Sequence, residues 1–173
     1  MTRRVSDVMT SGVRTPGPRE PVRLAAEIMA SLNVGSVPVS NGDRLVGMIT
    51  DRDIAIRAVA RGLDTGKTPV AEVMSVAPQY CFDTDPIERA AALMQQLQIR
   101  RLPVIDGDNH LVGIVTLGDI AVRGGRENAS RTLASVSTPA EPARPAGLAA
   151  GGQRKAQTDA PAAWALAQAH WKL

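Results

Sequence analysis

Two short segments carry residue types that could do chemistry: Gly47-Met-Ile-Thr50-Asp-Arg-Asp53 and Gly113-Ile-Val-Thr116-Leu-Gly-Asp119. In each, a threonine hydroxyl stands three residues before a carboxylate. At the first turn of a helix the hydroxyl can donate to a phosphate oxygen and the carboxylate can accept from two ribose hydroxyls, while the free N–H groups of the turn add partial positive charge. The same spacing has a purely structural use. A threonine N-cap with an acid three residues later is a capping box, and an isolated copy is read first as a cap.

Other chemistries find no set of residues to carry them. His110 falls in a turn and His170 near the end of the chain, so no histidine pair has metal-ligand spacing, and Cys81 has no second thiol. Cys81 lies in a short apolar stretch that predicts a buried small hydrophobe rather than a nucleophile. No metal site and no catalytic residue is expected, and the chain reads as a non-enzyme. Aromatic residues are 2% of the sequence, which argues against a stacking platform for single-stranded nucleic acid. The net charge of +3 is unevenly placed: residues 1–123 hold 14 basic and 14 acidic residues, and the excess lies beyond them. A neutral body predicts no nucleic-acid partner. The sequence has no run of 18 apolar residues and no apolar stretch after its charged N-terminus, so a soluble, cytoplasmic protein with no membrane partner is expected.

The elements that must position the two Thr-x-x-Asp segments come in duplicate. Asp7-Val-Met9 returns as Glu72-Val-Met74, Ala25-Ala26 as Ala90-Ala91, Met29 as Met94 and Pro38-Val39 as Pro103-Val104, all at an offset of 65. An extra residue at Asn109 or His110 moves the offset to 66, where Leu45-Val46-Gly47 matches Leu111-Val112-Gly113 and Asp53-Ile54-Ala55 matches Asp119-Ile120-Ala121. Val22, Ala25, Ile28, Met29 and Leu32 have helical spacing, repeated by Ile87, Ala90, Leu93, Met94 and Leu97. Two apolar runs around Asn41-Gly42-Asp43, and two more around Asp106-Gly107-Asp108, predict strand hairpins. Helices follow over 51–61 and 117–123. With extended segments near Val13–Thr15 and Gln79–Phe82, each copy reads β-α-β-β-α. A unit of this size buries too little surface alone, so two α/β copies packed sheet to sheet with pseudo-two-fold symmetry, enclosing two equivalent clefts, are expected.

The paired units, with Val-x-x-Val-Met leading in, an apolar-Pro-Val strand and Gly-x-x-Thr-x-x-Asp at the last helix, resemble tandem cystathionine-β-synthase (CBS) domains, or a Bateman module, of the small stand-alone bacterial type. The resemblance runs from about Val5 to Arg123. It implies a regulatory module binding an adenosine-containing ligand: AMP, ADP or ATP before S-adenosylmethionine or NAD, with no cofactor required. It implies a favoured cleft of Thr116, Asp119, Arg101, Leu102 and Pro103 with Ser11 and Gly12. A second cleft would use Thr50, Asp53, Val37 and Pro38 with Val76 and Ala77. The first is favoured because Arg101 can make charge-assisted bonds to phosphate, whereas its counterpart is Ser36. The competing reading of Arg100-Arg101 is a solvated surface pair. The alternative function is a ligand-free dimeric scaffold, or an accessory subunit of a separately encoded enzyme or channel.

Repeat boundaries are placed at 1–65 and 66–125, with 126–173 an Ala/Pro/Gly-rich disordered tail that could end in a short helix bearing Trp164 and Trp171. Apolar helical positions around Ile54, Ala55 and Val59, and around Ile120 and Val122, predict a homodimer.

Overall fold

The computed structural model of the protein describes residues 3–123. The sequence reading of 126–173 lies outside them. In chain order the elements are β1 (Thr10–Ser11), α1 (Val22–Leu32), β2 (Ser36–Asn41), β3 (Arg44–Thr50), α2 starting at Asp51–Asp53, β4 (Ser75–Val76), β5 (Cys81–Phe82), α3 (Ile87–Leu97), β6 (Arg101–Ile105), β7 (Leu111–Thr116) and α4 (Leu117–Arg123). The chain continues from α2 through wider i→i+5 turns over Ile54–Ala58 and a tight turn at Val59–Arg61.

Helices α1 and α3 follow their apolar spacing: Val22, Ala25, Ile28 and Met29 are buried in one, and Ile87, Ala90, Ala91 and Met94 in the other. Each starts after a proline, and each stops at a left-handed residue, Asn33 (φ 52°) or Gln98 (φ 55°). The hairpin β2–β3 turns through Gly42–Asp43, and the left-handed φ of 65° at Gly42 suits that tight turn. The hairpin β6–β7 has the longer turn anticipated from the inserted residue, with Asn109 at φ 66°.

The two sheets have the strand orders β2-β3-β4 and β1-β7-β6-β5. Each is completed by a strand from the segment that leads into the other copy. Thr10 and Ser11 pair with Ile114 and Gly113, and Ser75 and Val76 pair with Met48 and Gly47. The apolar residues ahead of these strands follow them: Val5 and Val8 belong to the core around α3, Val70 and Val73 to the core around α1. All four are fully buried. At roughly 1.5–3 kcal/mol for each such side chain, neither core is complete without the segment preceding the other copy. Backbone bonds repeat the exchange, since the Val5 N–H donates to the Asp85 carbonyl at 2.8 Å and the Val70 N–H to the Glu20 carbonyl at 2.8 Å.

Gly47 and Gly113 are glycines because of this exchange. A Cβ on Gly47 would lie 2.6 Å from Met74 Sδ and 2.9 Å from the Ser75 carbonyl oxygen. On Gly113 it would lie 2.6 Å from the Thr10 carbonyl oxygen and 3.0 Å from Met9 Sδ. The exchanged segments therefore run over strand positions that have no side chain.

Two expectations are corrected. Val13–Thr15 forms no strand, although its counterpart near Gln79–Phe82 supplies β5, which runs parallel to β6. Pro16 occupies the position of Cys81 and has no N–H to give a ladder. The segment is held instead by the Ser40 N–H donating to the Pro16 carbonyl at 3.1 Å and by a 2.6 Å bond between the Thr15 and Ser40 hydroxyls. Ile120, expected on an outer face, is fully buried, and Ile54 packs on the first core. The exposed large apolar residues of these helices are Ile56, Val59 and Val122, and the smaller Ala55 is exposed with them.

Ala77 sits at φ 52°, where the first copy has Gly12 at φ 67°. An L-residue there costs about 1 kcal/mol that glycine avoids. Ala77→Gly is expected to raise unfolding stability by about 1 kcal/mol and Gly12→Ala to lower it similarly. Gly113→Ala, which drives a methyl into the exchanged strand, should cost about 1–3 kcal/mol. Urea denaturation of the three variants checks all of this, and a neutral Gly113→Ala would contradict the close passage of the exchanged strand.

Candidate functional site

Both Thr-x-x-Asp segments form complete caps. Thr50 Oγ1 accepts from the Asp53 N–H at 2.9 Å while Asp53 Oδ2 accepts from the Thr50 N–H at 3.0 Å. Thr116 Oγ1 accepts from the Asp119 N–H at 3.1 Å, and Asp119 Oδ2 accepts from the Thr116 N–H at 2.9 Å and from its hydroxyl at 2.7 Å. The structural use of the motif is therefore satisfied in each copy. The carboxylates differ in what remains. Asp53 Oδ1 pairs with Arg57 at 3.3 Å, whereas among the described residues both bonds accepted by Asp119 fall on one oxygen and none on its Oδ1.

The β6–β7 register sets Arg101 opposite Thr116, and β2–β3 sets Ser36 opposite Thr50. Ser11 joins the edge of the sheet that ends at Thr116, opposite Gly113, with Gly12 exposed after it. Val76 and Ala77 stand in the same relation to Thr50, through Gly47. Each threonine–aspartate pair thus shares a sheet with the lead-in residues assigned to it. Leu102 and Val37 are fully buried members of the two cores, so to a ligand they can offer backbone only. Pro103 and Pro38, on the opposite side of their strands by alternation, are buried too. Arg101 is not a solvated arginine: it is half-buried, and its Nη1 donates to the Ser36 carbonyl oxygen at 3.3 Å.

Residues 5–59 and 70–123, the two copies, match the CBS domain family. The chain belongs to that family. It is similar to the CBS domain-containing protein YhcV of Bacillus subtilis, 47% identical over 134 residues that cover 77% of this chain and 94% of YhcV. Among solved structures it resembles Hypoxic Response Protein I with two coordinated zinc ions, at TM-score 0.64 and 38% identity over 69% of this chain and 97% of that one. It also resembles CBSX2 in complex with AMP, at TM-score 0.61 and 28% identity over 70% of this chain and 95% of that one.

Two arginines of this CBS pair escaped the sequence reading. Arg57 Nη1 donates to the Val73 carbonyl at 2.9 Å and to the Ser75 hydroxyl at 3.1 Å, and Arg123 Nη1 donates to the Val8 carbonyl at 3.1 Å. They are the same position in the two copies, and each ties a helix following a Thr-x-x-Asp to the exchanged segment beside it. The signal was present, because the offset of 66 superposes Arg57 on Arg123.

A pocket of about 500 Å³ is lined by Leu45, Val46, Ala77, Pro78, Tyr80 and Ile105, with Gln79 and Asn109 as its polar groups. Of the cleft residues assigned from sequence only Ala77 reaches it. In the β6–β7 turn, ligand atoms of Asp106, Asp108 and His110 lie within 4.8 Å of one another. The Asp106 side chain shapes the turn: its Oδ1 accepts from the Asp108 and His110 N–H groups at 2.9 Å, and its Oδ2 contacts His110 Nδ1 at 3.1 Å. The His110 N–H above all holds the Asp106 carboxyl below its ordinary range. No helix among the described residues is long and apolar enough to cross a membrane.

Cys81 is 3% exposed, and burial, reinforced by the Asp85 charge and opposed by Arg89, pushes its thiol from 9.0 up to about 12. At pH 8 it is a neutral, covered thiol. An aromatic disulfide reagent should therefore leave the folded protein unmodified at pH 8 and titrate one thiol once it is unfolded. Above pH 9 the unfolded chain loses this proton while the folded one keeps it until about pH 12, so stability falls with rising pH across that window. Cys81→Ala should flatten this alkaline decline in a pH series of thermal melts.

Proposed function

We propose that this CBS pair is a non-enzymatic regulatory module that takes an adenine nucleotide, foremost AMP, in a cleft built on the second repeat, and signals by a change of shape or of partner. The observation carrying this reading is the convergence of Arg101, Thr116 and Asp119 at one end of β6–β7, with an Asp119 oxygen left over after capping. A guanidinium suits a phosphate, the Thr116 hydroxyl can join it by turning its hydrogen away from Asp119 Oδ2, and the other carboxylate oxygen suits a ribose diol. The AMP bound to CBSX2 supports the ligand class. The chain's only cysteine is covered, and the Thr116 hydroxyl that meets a carboxylate does so within a helix cap.

The rival reading, a ligand-free scaffold, draws on the caps, which are complete without any ligand. The two readings separate in Asp119→Asn. As a cap residue alone, Asp119 would lose well under 1 kcal/mol of stability and affect no ligand. As a ribose acceptor it should give up roughly ten- to 150-fold in AMP affinity, while Asp53→Asn changes it little. Calorimetric titration of both variants decides this. Unchanged AMP binding in Asp119→Asn would remove the favoured cleft, and a wild-type protein indifferent to AMP, ADP, ATP and adenosine in thermal melts would favour the scaffold.

The same module is proposed to be a homodimer. Ile56 and Val122 occupy one position in the two copies and are 49% and 84% exposed, with Val59 at 63% beside the first. Side chains of this kind, repeated on both copies, suit a self-complementary contact. Sedimentation equilibrium should give twice the 18.2 kDa chain mass, and Val122→Glu should shift it toward one chain. A wild-type protein at the single-chain mass at micromolar concentration would refute the dimer.

A further inference from the structure

We propose that Arg101 serves both clefts, so that a phosphate-bearing ligand held in one excludes a second from the other. The proposal rests on the nucleotide reading above and adds its stoichiometry. Arg101 and Ser36 are the same position in the two copies, and the 3.3 Å bond from Arg101 Nη1 to the Ser36 carbonyl joins them directly. The arginine backbone stands opposite Thr116, while its tip rests on the residue opposite Thr50. Partners in an antiparallel pair lie about 4.5–5.5 Å apart at Cα, so a phosphate on either hydroxyl is within reach of this one guanidinium.

The bond that Arg101 makes in the structure is long and goes to a neutral carbonyl. A phosphate oxygen is a stronger acceptor and can be gripped by two N–H groups at once, so a ligand in either cleft would draw the guanidinium from Ser36. One positive charge cannot offset two phosphate dianions facing each other across a half-buried side chain. The first copy has no cation of its own at this position, because Ser36 is buried and uncharged. Arg57 is occupied by Asp53, the Val73 carbonyl and Ser75. Arg52 and Arg100 are exposed. The first cleft therefore depends on a borrowed guanidinium. The second, whose Asp119 Oδ1 has no partner among the described residues, takes that guanidinium first.

Calorimetric titration of the full chain with AMP and with adenosine tests this. The wild type should bind one AMP per chain tightly and a second at least roughly tenfold more weakly, whereas adenosine, which has no phosphate to exclude its neighbour, should fill both clefts with affinities closer together. Arg101→Ala should bring AMP down to the affinity of adenosine and abolish the difference between sites. Ser36→Arg, which gives each cleft its own guanidinium, should yield two tight AMP sites per chain. Should that variant not fold, the stoichiometry of the wild type and the response of Arg101→Ala still decide. Two equal AMP sites in the wild type, or an AMP affinity untouched by Arg101→Ala, overturns the shared guanidinium and leaves the nucleotide reading standing. Binding of neither AMP nor adenosine overturns both.

Discussion

The rest of the structure depends on the exchange of lead-in segments. Val5 and Val8 precede the first copy and complete the core of the second, while Val70 and Val73 precede the second and complete the core of the first. The contact is close enough that strand positions 47 and 113 cannot carry a side chain. Hydrophobic burial of these four residues supplies the energy, and the two glycines supply the room.

The candidate clefts follow from that exchange. Ser11 and Val76 are the ends of exchanged strands, so each Thr-x-x-Asp shares its sheet with residues that precede the other copy. Arg57 and Arg123 reinforce the arrangement by bonding each following helix to backbone of the exchanged segment. A displacement of a Thr-x-x-Asp turn would therefore be felt by a segment that continues into the opposite copy. That continuity gives the proposed regulatory role a mechanical route, because a ligand held on one turn pulls on backbone common to both units.

What the sequence made legible was local. Helical spacing identified α1 and α3, the Asn-Gly-Asp turn located β2–β3, and a three-residue spacing located both caps, because each of these is decided within one or two turns of chain. The exchange was not legible in that way. Pairing of Ser11 with Gly113 spans most of the described chain and leaves only a glycine and a short apolar lead-in as its trace. Arg101 was singled out for its charge, yet its present partner is a backbone carbonyl, which every residue has and no sequence marks. Ile120 was placed outside from helical spacing, whereas packing of the short α4 against α3 takes it into the core. Leu102 and Val37 were assigned to clefts along with their neighbouring prolines, although strand alternation turns them the other way.

A unit whose core is finished by its neighbour's lead-in has no complete monomeric form. Separated from its twin, one such unit could bury its apolar face only by trading lead-ins with an identical copy, and the pseudo-two-fold axis of this chain would then be a true one. Fusing two such partners into a single chain changes little in the contacts. What it permits is divergence: a serine on one side of the axis and an arginine on the other, an asymmetry that two identical halves related by a true two-fold axis could not hold.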